Sequence, residues 1–139
     1  MDIQYELIDV KLKLWYMVNK SSNNILRILG GLHDIILTND FFSISGDSTE
    51  LSFFISSDNS YFEELRREQI VNCYDEIYHV VKIYFDDTHG IDMQGIVTSV
   101  SEFFNSKNIP ILYVNSFNNN YVLYSEKYHN SILEYFIRK

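Results

Sequence analysis

Gly95-Ile96-Val97-Thr98-Ser99-Val100, then Ile109-Pro110-Ile111-Leu112-Tyr113-Val114-Asn115-Ser116-Phe117, then Asn118-Asn119-Asn120-Tyr121-Val122-Leu123-Tyr124: this is the stretch that decides the fold. Between Gly95 and Glu126 the chain reads as helix, short break, strand, polar turn and second strand. Ile96, Val97, Val100, Phe103 and Phe104 recur at helical spacing and predict one apolar helix face within roughly Met93 to Ser106. Ile109 to Phe117 follows as a strand. Pro110 stands at its start, where no ladder N–H is needed. The three asparagines suit a turn, because Asn tolerates positive φ. Tyr121 to Tyr124 is the hairpin partner. Ser125 then caps a last helix striped by Tyr128, Ile132, Tyr135 and Phe136.

Upstream, Ile8 to Tyr16 alternates. Ile8, Val10, Leu12, Leu14 and Tyr16 share one face, and Asp9, Lys11 and Lys13 share the other. That pattern predicts a half-buried strand with the even-numbered residues inward. Ser21 or Ser22 caps a short helix through Leu29, which Gly30-Gly31 is expected to end. Phe41 to Ser45 and Glu50 to Ser56 read as a hairpin turning at Gly46-Asp47-Ser48-Thr49. Ser60-Tyr61-Phe62-Glu63 is a capping box opening a helix to about Asn72. Tyr78 to Phe85 is β-rich. The order β-α-β-β-α-β-α-β-β-α predicts an α+β fold with mostly antiparallel sheets. Two ferredoxin-like βαββαβ units are one strand short unless a strand is shared or exchanged. The strand 78–85 can end the first unit or begin the second, and the first strand can complete the second sheet. The expected division is 1–75 and 76–139.

The chain has 139 residues, nearly half of them apolar, and a formal net charge of −8. It is long enough to bury a core, and its composition argues against disorder. Nucleic-acid binding is not expected, since phosphate contacts need clustered Lys and Arg. No apolar run reaches the roughly 20 residues of a membrane span. Met1 to Glu6 does not read as a signal peptide. The single cysteine, Cys73, excludes an internal disulfide and favours a reducing, cytoplasmic setting; it is expected as a small buried side chain on the helix opened by Ser60. Abundant Asn, Ile, Tyr, Lys and Asp with scarce Ala, Pro and Gly accompanies an AT-rich genome, such as a viral or protist one.

No nucleophile elbow, phosphate-binding glycine loop or zincin helix occurs, and no catalytic residue is singled out. No metal or cofactor is expected. Asp86, Asp87 and His89 match no closed zinc pattern and read as a solvated loop. His33, His79 and His129 are scattered and read as surface or core residues. Tyr61, Tyr74, Tyr78, Tyr84 and Tyr113 lack a basic groove for nucleotide stacking and read as packing.

The stretch from Gly95 to Glu126 resembles the second half of the small-ligand-binding ACT domains of CASTOR-type arginine sensors and their bacterial relatives. The upstream motifs Leu7-Ile8, Phe41-Phe42-Ser43-Ile44-Ser45 and Glu50-Leu51-Ser52-Phe53-Phe54 resemble that family's in the same order. The resemblance implies tandem ACT-type units, no catalysis, and an amino-acid ligand between paired units. It implies a ligand loop at Gly90, Ile91, Asp92 and Met93, leading to Gly95, and a ligand turn at Phe117, Asn118 and Asn120. Glycine there lets backbone approach a ligand and leaves helix N–H groups available to a carboxylate. Asn120 stands where the family usually has an aspartate, and Met93 where arginine sensors have a carboxylate. The alternative is a protein-interaction module that keeps the fold without a small-molecule ligand. Either way a homodimer or a protein partner is expected, burying Trp15 or the hairpin around Tyr121.

Overall fold

A computed structural model describes residues 3–85 and 93–137, with the side chains of 93, 94 and 137 left aside. The elements are β1 (Ile3–Met17), α1 (Ser22–Thr38), β2 (Ser43–Gly46), β3 (Leu51–Ser56), α2 (Ser60–Arg67), β4 (Asn72–Phe85), α3 (Met93–Asn105), β5 (Leu112–Asn115), β6 (Asn120–Ser125) and α4 (His129–Ile137). Hydrogen bonding orders the strands β2-β3-β1-β4-β6-β5. The pairings β1–β3, β2–β3, β4–β6 and β5–β6 are all antiparallel. The α+β class is as expected.

The chain forms two compact units. One is Val10–Ile77; the other is Tyr78–Lys139 together with Met1–Asp9. This differs from a single cut at residue 75, because β1 and β4 each run through both units. Both are longer than the sequence predicts. Asn72 to Ile77, polar and read as helix end and loop, are the first half of β4.

In the unit Val10–Ile77, β1 and β3 bring Trp15, Met17, Phe53 and Ile55 under α1 and α2, where Ile28, Leu32, Ile35, Phe62 and Leu65 close the core. Trp15 lies opposite Phe53 across the ladder and meets the Phe62 ring edge-on at 5.8 Å. This corrects the expected interface role of Trp15. It is fully buried within its own unit, so no partner is needed to cover it. The alternation misled because both faces are used: Leu12, on the opposite face, is fully buried too.

Helix α1 does not stop at Gly30-Gly31. Ser21 caps it, its hydroxyl accepting from the Asn24 N–H at 3.2 Å, and the helix continues to Thr38. The glycines serve helix packing: a Cβ on Gly31 would sit 2.2 Å from Tyr61 Cδ1, and one on Gly30 3.0 Å from the Tyr61 hydroxyl. That hydroxyl donates to the Arg27 carbonyl. The cap of α2 is Asn59 rather than Ser60, its Oδ1 accepting from the Phe62 N–H at 2.9 Å. The helix ends five residues before Asn72, at a left-handed Gln69 (φ 64°), with the Ile70 N–H returning to the Leu65 carbonyl. Helix α3 ends the same way at Asn108 (φ 56°), the Ile109 N–H returning to Phe104. Both are Schellman closures without glycine, which leave no glycine for a sequence reading to find. In the β2–β3 turn, Asp47 Oδ1 accepts from the N–H groups of Thr49 and Glu50 and from the Thr49 hydroxyl. Cys73 lies half-buried on β4, not on a helix.

In the other unit, α3 lays Ile96, Val100 and Phe104 on Val81, Ile83, Val122 and Tyr124 of β4 and β6. Ile3, Tyr5 and Leu7 of β1 and Ile132 of α4 join this core. Strand β5 is only four residues long, so Phe117 falls beyond it. Ser125 caps a short 3-10 turn, Glu126–Tyr128, before α4.

Candidate functional site

The sheet register fixes where the expected ligand turn falls. Asn120 pairs with Ile83 on one side and Asn115 on the other. Ile83 lies two residues before β4 ends at Phe85, and α3 begins at Met93. The hairpin turn after Asn115 therefore sits at the end of the sheet where the chain leaves β4. The turn is closed by the Ser116 N–H donating to the Asn119 carbonyl at 2.9 Å.

Within that turn the expected residues differ sharply. Phe117 is 99 % exposed, whereas Asn120 is 6 % exposed. Asn118 is exposed, and Tyr121 is half-buried on β6. Gly95 lies half-buried in the first turns of α3. Gly90, Ile91 and Asp92 lie outside the described residues, as do the side chain of Met93 and the loop residues Asp86, Asp87 and His89.

An open groove of about 460 Å³ runs beside α3, lined by Val97, Thr98, Ser101, Glu102 and Asn105 and by residues 109–111. Its polar lining offers hydroxyls, an amide and one carboxylate, a set that suits a neutral or cationic group. A second hollow of about 360 Å³ lies between Ile3, Gln4 and Tyr5 of β1 and Tyr135 and Phe136 of α4. It is walled by aromatics: Tyr5 stacks on Phe103 at 5.0 Å, and the Lys107 ammonium lies 4.9 Å from the Tyr135 ring centre. Burial, with smaller contributions from Tyr135 and Tyr113, pushes the Tyr5 phenol up to about 12.

One cluster escapes sequence reasoning. His79 on β4 and His129 at the start of α4 stack face to face, 3.7 Å between ring centres and 5° from parallel. The Tyr124 hydroxyl is 2.8 Å from His129 Nδ1, and Glu126 Oε1 is 3.6 Å from His79 Nε2. Burial pushes the Tyr124 phenol up, so it keeps its proton at neutral pH. His79 and His129 lie fifty residues apart; only the register of His79 with Tyr124 brings them together. Neither hollow is lined by them. The cluster ties α4 to the sheet, a structural role. Among the described residues, no group of three or more His, Cys, Asp or Glu is arranged to hold a metal ion, and no helix is long and apolar enough to cross a membrane.

With this geometry the chain has an ACT-like α+β fold, the class that the comparisons with solved structures support. No protein-family model matches the chain, and no curated protein does. Among solved structures, the regulatory subunit of aspartate kinase from Thermus flavus is similar, with TM-score 0.63 and 10 % identity, over 96 % of this chain and 94 % of that one. A protein from Agrobacterium tumefaciens gives TM-score 0.58 and 17 % identity over 95 % and 84 %. Aspartokinase III from E. coli, solved in complex with aspartate and ADP, gives TM-score 0.56 and 11 % identity over 94 % of this chain and 31 % of that one. At these identities the likeness establishes the fold alone.

Proposed function

We propose that this chain is a non-catalytic regulatory module built of two ACT-type βαββαβ units that share β1 and β4, and that it binds an amino acid at one end of the second unit. The first unit is β1-α1-β2-β3-α2-β4; the second is β4-α3-β5-β6-α4 completed by the beginning of β1. The residues proposed for the ligand site are Gly95, Phe117, Asn118 and Asn120, with Gly90, Ile91, Asp92 and Met93 proposed from the sequence alone. The observation that carries the reading is the pairing of Asn120 with Ile83, which sets the hairpin turn at the sheet end where β4 gives way to α3. The exposed Phe117 ring is free to close over a ligand, and Asn120 accepts a hydrogen bond from an ammonium group. The likeness to regulatory subunits of aspartate kinase supports regulation rather than catalysis. The setting is cytoplasmic, on the single cysteine.

A thermal-shift screen of the twenty amino acids tests this, since a ligand bound only by the native state raises the melting temperature by mass action. Asn120→Asp sharpens it. With an ammonium partner, the new carboxylate tightens binding; without one, it is a buried charge that only lowers stability. No shift with any amino acid, for either protein, would refute the ligand reading. A second reading, a protein-interaction module, is favoured by the bare Phe117 at the hairpin tip and by the missing charge at Asn120. Capture of a partner that Phe117→Ser abolishes would support it.

A further inference from the structure

We propose that the stack of His79 on His129 is a proton-operated latch: with no proton or one on the pair it holds α4 to the sheet, and with two it releases α4. This goes beyond the ligand reading and does not depend on it. His79 stands on β4 with 4 % of its surface exposed, and His129 opens α4. Their ring centres are 3.7 Å apart and the planes 5° from parallel. A single imidazolium lies over the π face of its neutral neighbour, a favourable place for a cation. Two would set like charges at stacking distance in a buried site, where water screens them little.

The surrounding groups accept the first proton and oppose the second. Glu126 Oε1 lies 3.6 Å from His79 Nε2, near enough to act as a counter-ion though too far for a hydrogen bond. His129 Nδ1 is 2.8 Å from the hydroxyl of Tyr124, itself 1 % exposed. That phenol keeps its proton and can donate it to a neutral Nδ1; an imidazolium at His129 would force the buried hydroxyl to turn its hydrogen elsewhere. Glu6 of β1 accepts from the Tyr84 hydroxyl and Lys82 lies over the Tyr84 ring, on the face of β4 opposite His79 by alternation. Lys127 lies over Tyr128, and Asp9 of β1 and Glu134 of α4 are exposed. Glu126 thus balances one charge, not two.

The consequence is a difference in proton count. With α4 freed, each imidazole titrates near its ordinary value of about 6.5, so the two take up two protons; docked, the pair takes up one. The docked state binds fewer protons, so docking weakens as pH falls below that value, by up to about ten-fold per pH unit. Release uncovers Ile132, fully buried on the sheet, and opens the hollow between β1 and α4.

Amide hydrogen exchange on the full chain, corrected for its intrinsic rate, tests this from about pH 7.5 to about pH 5, above the range in which ordinary carboxylates titrate. Wild type should lose protection at Leu133 and Tyr135 by about ten-fold or more across that window, while Val100 and Phe104 of α3 keep theirs. His129→Phe keeps a ring in the stack but leaves one titrating imidazole whether α4 is docked or free, so its α4 protection should barely change with pH, whatever its level. Glu126→Gln removes the counter-ion and should bring the loss on at higher pH. His33→Phe, on an exposed side chain, should leave the wild-type slope as it is. Imidazole NMR of wild type should show the pair titrating in two steps more than about one pH unit apart. Flat α4 protection in wild type, a slope that His129→Phe leaves unchanged, or two imidazoles titrating together would each overturn the proposal. So would equal loss in α3 and α4, the mark of general acid unfolding.

Discussion

The units Val10–Ile77 and Tyr78–Lys139 with Met1–Asp9 use similar parts and spend them differently. Each has a helix closed by a polar left-handed residue, Gln69 in one and Asn108 in the other, and each has an antiparallel hairpin. In the first unit the hairpin turn is tied by three hydrogen bonds to Asp47, and two helices interlock through Gly30, Gly31 and Tyr61. In the second the hairpin tip holds an aromatic ring in open solvent, and a groove follows α3. A shared plan thus carries a tied hairpin turn and interlocked helices in one unit, and an exposed hairpin tip and an open groove in the other.

Trp15 tests the first unit's half of this contrast most strongly. Trp15→Ala should cost about 3–5 kcal/mol in denaturant unfolding, the range for removing a fully buried Trp. A loss near that of a surface substitution would mean the first unit's core is misplaced. Gly31→Val should cost about 1–3 kcal/mol by wedging α1 from α2. Tyr61→Ala in the same chain should recover part of the loss, and strict additivity in that double-mutant cycle would break the interlocking argument.

The pH limits should separate the units further. Burial raises the Tyr5 phenol from 10.0 to about 12, so the folded second unit holds a proton that the unfolded chain releases. Stability should therefore fall as pH rises through that window, and Tyr5→Phe should flatten the fall. Asp47 is the opposite case. Hydrogen bonds, foremost from the Thr49 hydroxyl, hold its carboxyl below the usual range. Its contribution is present above the unfolded carboxyl value and fades as pH drops through the folded one, so Asp47→Ala should flatten the acid limb. Thermal melts from acid to alkaline pH measure both. The smallest effect belongs to Phe117→Ala, which should change stability by no more than about 0.5 kcal/mol; under the proposed ligand reading it should also weaken any amino-acid thermal shift.

Much of this architecture is legible in the residues, and the misreadings have physical causes. The alternation from Ile8 to Tyr16 marks a strand, but a strand buried on both faces does not reveal which side holds the helices. The pattern alone puts Trp15 on the outward face, yet it packs on Phe53 and Phe62. Gly30-Gly31 carries two meanings, helix end and close approach, and Tyr61, thirty residues on, selects the second. Conversely, α2 ends at Gln69, whose identity gives no warning of a left-handed backbone. Ser60 begins a good capping pattern, yet Asn59 one residue earlier offers the better-placed acceptor. At the candidate site, the turn was readable from Asn118 to Asn120. Its location beside the end of β4 was not, because that depends on strand register, as does the stack of His79 on His129.

The proposed ligand site lies at one end of the second unit. Two-dimensional amide NMR during amino-acid titration tests it most directly. The account predicts that at least one amino acid shifts the amides of Gly95, Phe117 and Asn120 in a saturable way, while those of Thr49 and Tyr61 stay in place. Shifts confined to the unit Val10–Ile77, or none at all across the twenty amino acids, would contradict it.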